Sequence, residues 1–153
     1  MTVHPPQLDS LATVTVRVGE PVELGATADG RRRIIPILGG TVDGPELRGT
    51  VLPVGADFQL LRSDTLTELE AKYAIETAEG ERLYVTNFGL RSGSADDIAA
   101  LVRGDQVDAE RIYFRCTPRF AGDGRWAWLA SRIIVGTGER TPDTVLLHLF
   151  VVA

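Results

Sequence analysis

From residue 12 to residue 18 the chain alternates, with Val14, Val16 and Val18 on one side and Thr13, Thr15 and Arg17 on the other. A period of two over that length predicts a strand with one buried face. The signature recurs along the chain. Pro21 through Leu24 begins a second strand, and Ala28-Asp29-Gly30 has turn chemistry. Residues 31–38 read as the return strand, with Pro36 placing it at an edge or a bulge. Gly39-Gly40 and Asp43-Gly44-Pro45 read as breakers, and a glycine pair at a strand end lets backbone approach backbone, or a ligand, closely. Residues 47–52 and 56–62 follow as short strands on either side of Pro53-Val54-Gly55. Residues 68–77 have a helix-forming composition. Leu69, Ala71, Tyr73 and Ile75 nevertheless alternate, and Glu79-Gly80 turns the chain into residues 82–88, so a hairpin is predicted. Residues 112–118, 126–135 and 145–152 are the last three predicted strands.

One stretch has helical character. Over residues 92–105, Ser94 stands three before Asp97, the spacing of a capping box with Asp in place of Glu or Gln. Ile98, Leu101 and Val102 form an apolar stripe, and Gly104 supplies the stop. About nine or ten short strands, with turns roughly every ten residues and one short helix near 95–103, predict an all-β chain folded as an antiparallel sandwich or barrel. Residues 1–11 read as a lead-in and 12–153 as a single β-barrel domain.

Composition narrows the picture without changing it. The chain of 153 residues is 44% apolar and 24% charged, ordinary for one globular domain. Its net charge of −5 gives no general attraction to nucleic acid or to an anionic membrane, so neither is an expected partner. No apolar stretch is long enough to span a bilayer as a helix, and MTVHPPQLDS lacks the basic start and apolar run of a signal peptide. A cytoplasmic location is the expectation. Cys116 is the single cysteine, and His4 and His148 are far apart, so no metal-ligand spacing exists and no metal or cofactor is expected. Lys72 is the only lysine. That fits a GC-rich coding sequence, and arginine's fork also suits bidentate pairing with carboxylates.

Polar residues inside apolar stretches carry the chemistry. Asp57 is the only acid in residues 49–61, and Gln59 projects to the same face. Tyr73 and Glu76 follow on the next strand, out of phase with one another. Tyr113 and Arg115 alternate together, as do Trp126 and Trp128. Should these faces line a lumen, it would hold a carboxylate, a guanidinium, phenols and an indole, able to orient an organic ligand and move a proton. Each residue also has a structural reading. Asp57 after Gly-Ala fits an Asx turn. Arg115 fits a charge partner of Glu76 or Asp57. The tyrosines and tryptophans fit packing, with the phenols hydrogen-bonded. His148 fits a wall position, and Cys116 an inert one. Of Arg31, Arg32 and Arg33, alternation turns Arg32 away from its neighbours, so at most one or two reach a ligand.

The strings GRRRIIPILGGTVDGP, VLPVGADFQ, KYAIETAEGERLYVTNFGLR, IYFRCTPRF and WAWLASRIIVGTGER, in this order from Val14 to the C-terminus, resemble the domain of unknown function 3237 family. The resemblance implies a lipocalin-like, allene-oxide-cyclase-like antiparallel barrel. That family has no agreed activity, and some relatives look like cofactor-free cyclases or isomerases of secondary metabolism. Phe58 stands where an indole is common, Glu70 where Asp is expected and Cys116 where Thr is expected; none of these removes a candidate acid or base.

Two expectations follow, and a third, plainer one. The first is a cofactor-independent lyase or isomerase of cyclase type acting on a small, partly apolar substrate in the barrel interior. Asp57 would move the proton, and Arg115 with Tyr113 would hold an oxyanion. Arg33, Phe58, Gln59, Tyr73, Glu76, Asn87 and Trp128 complete the ligand-binding set. The second is a non-catalytic binding protein for a small hydrophobic ligand. The third is a barrel with a packed interior that works through its surface or its oligomer. A homodimer is expected on the ground that sheet edges need cover.

Overall fold

The computed structural model describes residues 3–153, and in it the alternation becomes one antiparallel sheet of ten strands. These are β1 (Leu8–Val18), β2 (Val22–Thr27), β3 (Gly30–Asp43), β4 (Gly49–Val51) and β5 (Ala56–Leu61), then β6 (Leu66–Thr77), β7 (Arg82–Ser92), β8 (Tyr113–Ala121), β9 (Ile134–Arg140) and β10 (Thr144–Val152). Helix α1 (Ala95–Arg103) joins β7 to β8, and 3₁₀ turns occupy Ala109–Arg111 and Gly124–Ser131.

Neighbours run β1-β10-β9-β8-β7-β6 around the molecule. β4 and β5 then share one place in tandem between β6 and β3. Residues 37–43 of β3 return to β1, and this closes the ring into a barrel of eight places. β2 doubles back along the start of β3, beyond the point where β1 leaves it. Closure removes the edges of the ring, so the need for edge cover applies only to β2, which pairs with β3 alone.

Three expectations change. β1 begins at Leu8, so part of the lead-in is strand. β3 does not stop at Gly39-Gly40 but runs through them, and Gly39 borders the register shift at the start of its pairing with β1. Residues 126–135 are not a strand: Gly124–Ser131 is a 3₁₀ segment and β9 begins at Ile134. Its inward residues, Trp126 and Leu129, are three apart, the period of a 3₁₀ turn. The Trp126–Trp128 alternation imitates a strand over a stretch too short to separate the two periods.

Every second residue of the ring points inward. β8 shows it cleanly, with Phe114, Cys116, Pro118 and Phe120 buried and the residues between them exposed. Val14, Ile75, Leu83, Val85 and Leu149 are at most 1% exposed and form part of the packed core. At one end α1 lies across the barrel, from the β2–β3 hairpin and the end of β5 to the β8 and β9 strands. Ser94 Oγ accepts from the Asp97 amide at 3.1 Å, and Gly104 takes the left-handed conformation that stops the helix. Ile98 and Leu101 bury their stripe against Val107 and Ile112.

The 3₁₀ segment is latched to the β6–β7 turn by Glu81. Its carboxylate accepts from Arg125 Nη2 at 2.7 Å, Trp126 Nε1 at 2.9 Å and Thr77 Oγ1 at 3.0 Å. Arg125 first, then Trp126, hold its pKa down to about 2 from an ordinary 4.5. A depressed carboxyl contributes stability that is present above 4.5 and is lost as pH falls through about 2. Glu81→Gln is expected to lower the melting temperature at neutral pH, followed by Trp126 fluorescence, and the difference should shrink as acid neutralises the wild-type carboxylate. Equal melting at neutral pH would mean that the latch contributes nothing.

Candidate functional site in the barrel lumen

Strand register sets the inward residues in rows. Ile35, Asp57, Ala71, Asn87 and Pro118 are successive cross-strand partners from β3 to β8. The next row toward the helix end is Arg33, Gln59, Leu69, Gly89 and Cys116. Beyond it Arg91 of β7 pairs with Phe114 of β8, and Arg140 closes β9. Gly89 puts no side chain into the lumen, and a Cβ there would lie 3.4 Å from Leu69. A cavity remains among Asp57, Gln59, Tyr73, Asn87, Arg91 and Arg140, with apolar walls that include Val16, Ile35, Leu69 and Leu147. The cavity is small, with a volume of about 50 Å³.

The polar atoms here are poorly matched by the protein. Asp57 Oδ2 accepts from Gln59 Nε2 at 2.8 Å, while Asp57 Oδ1, Gln59 Oε1, the Tyr73 hydroxyl, Asn87 Oδ1 and Arg91 Nε have no protein partner. Asp57 retains some exposed surface, yet its Oδ1 is shut off from water. Burial raises its pKa above the ordinary carboxyl value, against weaker opposition from Gln59, Arg91, Arg140 and the Glu70 backbone. Burial also pulls Arg91 down to about 10, with Asp57 opposing and Arg140 and Arg33 reinforcing. Arg140 is lowered by burial and then by Arg33. Tyr73 and Cys116 are both raised, again chiefly by burial. A carboxyl whose burial raises its pKa therefore sits among cations and hydroxyl or amide groups. Such a set can exchange a proton and stabilise an anion.

Of the predicted residues, Asp57, Gln59, Tyr73 and Asn87 come together in this cavity. Arg33 is buried beside it, donating to the Val102 carbonyl of α1 at 3.5 Å. Its Nε lies 3.1 Å from Glu23 Oε1, close enough for an ion pair but too poorly aligned for a hydrogen bond. Five predicted residues lie elsewhere. Arg115 and Tyr113 are on the outer face of β8, the guanidinium stacked on the phenol at 5.2 Å and donating to Thr137 Oγ1 at 2.9 Å. They do not share a cavity with Asp57. Phe58 is one residue out of phase with Asp57 and is exposed. Glu76 faces outward and pairs with Arg82 at 3.0 Å. Trp128 is on the 3₁₀ segment, away from the lumen. For the four strand residues the physical reason is parity, since a side chain one step off changes face; Trp128 is displaced because its segment is a 3₁₀ turn rather than a strand.

Arg91 and Arg140 are the residues that sequence reasoning missed. Arg91 is in phase with Asn87, four residues on, but β7 was expected to stop at residue 88. Arg140 is in phase with Ile134 and Gly136 on a strand that was expected to end at residue 135. Extending each alternation to the next turn would have exposed both. Among the described residues no group of three His, Cys, Asp or Glu side chains could hold a metal ion. No helix there is long and apolar enough to cross a membrane.

Comparison with known proteins gives a consistent picture of relationship. Residues 6–152 match the model of a family described as protein of unknown function, DUF3237. A UPF0311 protein of Rhodopseudomonas palustris is 46% identical over 138 residues, 90% of each chain. The crystal structure of an R. palustris protein of unknown function superposes with a TM-score of 0.94 at 42% identity, covering 99% of this chain and 100% of that one. A β-barrel-like protein of Acinetobacter baumannii gives a TM-score of 0.87 at 35% identity, covering 99% of both chains. An enzyme from Penicillium herquei shares the fold at a TM-score of 0.73, with 18% identity and coverage of 100% and 98%.

Proposed function

The chain belongs to the DUF3237 family, and on that premise we propose that its lumen is the active site of a cofactor-independent lyase or isomerase for a small, partly apolar organic molecule. One observation carries the reading: a carboxyl with one oxygen shut off from water and unmatched by the protein faces a largely apolar cavity that also holds Arg91. A structural ion pair would neutralise this carboxyl, whereas a buried acid with a raised pKa and no ion-pair partner is suited to exchange a proton with a bound molecule. Asp57 is the proton-transfer group. Gln59 orients it through the 2.8 Å hydrogen bond. Tyr73 and Asn87 bind polar substituents, and Arg91 supports charge that develops on the substrate. Arg115 and Tyr113, on the outside, have no part in this scheme.

A second reading is favoured by the unmatched polar atoms themselves. A ligand that merely binds would satisfy Tyr73, Asn87 and Gln59 without reacting. Native mass spectrometry of the protein from its own host separates the two readings by identifying a retained small molecule. Incubated with that molecule, the wild-type protein is expected to convert it. Asp57→Asn should still bind it and lose about 100- to 10,000-fold in rate. Full turnover by Asp57→Asn refutes the catalytic assignment, and a molecule returned unchanged by the wild-type protein supports binding alone.

A further inference from the structure

Two guanidinium groups, one buried and one half-buried, line the cavity without a carboxylate partner among the described residues. Arg91 is 3% exposed, yet no carboxylate among the described residues comes within 4.0 Å of it, and its Nε meets no protein acceptor. The Phe114 ring lies 5.7 Å from its Cζ, covering a face and accepting no hydrogen bond along the edge. Arg140 donates through Nη1 to the Thr141 and Thr144 carbonyls, and has no carboxylate partner either. Arg33, the third cation at this end, is balanced by Glu23 at 3.1 Å. Asp57 lines the same cavity but forms no ion pair with either arginine. An uncompensated buried charge is costly, and a guanidinium edge matches a planar carboxylate.

We infer that the lumen's ligand carries a carboxylate, held by Arg91 and Arg140, with its apolar body against Val16, Ile35, Leu69 and Leu147. This rests on the lumen being the small-molecule site proposed above. A monoanion fits better than a phosphate. The walls are largely apolar, the enclosed space is small, and Arg33 is already balanced. The geometry also separates two tasks. The guanidinium pair holds the anionic end, and Asp57 on β5 is left to meet the reacting carbon or its oxygen substituent.

The test uses the full chain with butyrate and benzoate as probes and with butyramide and benzamide as uncharged twins. Binding is measured by calorimetry and thermal shift at neutral pH and fixed ionic strength. The acids should bind at least about tenfold more tightly than the amides, and Arg140→Gln should remove that preference. Arg91→Met should do the same. Since it alters a buried position, the half-buried Arg140 variant decides the matter if the Met protein does not fold. No binding of either acid, equal binding of acid and amide, or a preference untouched by Arg140→Gln would overturn the inference. Ala71→Phe, which fills the lumen beside Asp57, tells this failure from failure of the lumen reading. If it abolishes amide binding that equals acid binding, the site stands and the anion falls. If acid binding survives it, the acid is held on the outer surface and both fall.

Discussion

Asp57→Asn is expected to melt at a higher temperature than the wild-type protein at neutral pH, with the gap closing as pH falls. Burial raises the folded-state pKa of Asp57 above the ordinary 3.8, outweighing Gln59, Arg91 and Arg140. For an acid shifted upward, the contribution to stability is fully present below 3.8 and is lost as pH rises through the folded-state value. The wild-type protein therefore pays for holding this carboxylate at neutral pH, at a rate of up to about 1.4 kcal/mol for each pH unit by which the two values differ. Asparagine keeps the shape and cannot ionise. The other titrating groups, Glu81 included, are common to both proteins, so the difference in melting temperature isolates Asp57. It should widen upward from the region of 3.8 and then level off. A difference independent of pH, or of opposite sign, would mean that Asp57 is ionised and satisfied in the folded protein. The same substitution is the one expected to remove turnover, and a gain in stability with loss of activity is the behaviour of a residue retained for chemistry.

The second large effect is structural. Gly40→Ala is expected to cost about 3 kcal/mol or more and to lower the melting temperature by about 6–12 °C. Gly40 lies on β3 between Val16 of β1 and Val51 of β4, at the seam where the ring closes. A Cβ there would fall 2.0 Å from the Thr15 carbonyl oxygen and 3.1 Å from Val16 Cα. These are backbone atoms of a paired strand, so relief requires β1 and β3 to part. Gly49 makes a similar approach to the Glu76 carbonyl on the far side of β4. Close backbone approach at these two points lets short β4 sit within a tightly curved wall. Urea unfolding followed by circular dichroism measures the loss, and a Gly40→Ala protein within about 1 kcal/mol of wild type would show that the seam is looser than this geometry implies.

The local pattern of the chain determined a great deal. Alternation placed most of the strands, the Ser94 cap and Gly104 stop placed the helix, and Asp57 with Gln59 stood out as polar residues in an apolar strand pair. These features depend on neighbours within a few residues, where the period of two and the capping chemistry act directly. Long strands were cut short where a glycine interrupted the apolar run, at Gly39, Gly89 and Gly136, which hid Arg91, Arg140 and the passage of β3 through Gly39-Gly40. Alternation separates two faces without saying which one turns inward. On β8 that choice sent Phe114 and Cys116 to the lumen and Tyr113 and Arg115 to solvent, although both faces hold an aromatic ring. Only the tertiary structure decided it, because closure of the ring pairs each face with residues far away in the chain. The face with the larger apolar surface is buried, and the guanidinium groups left inside are those that the register of β7 and β9 carries there.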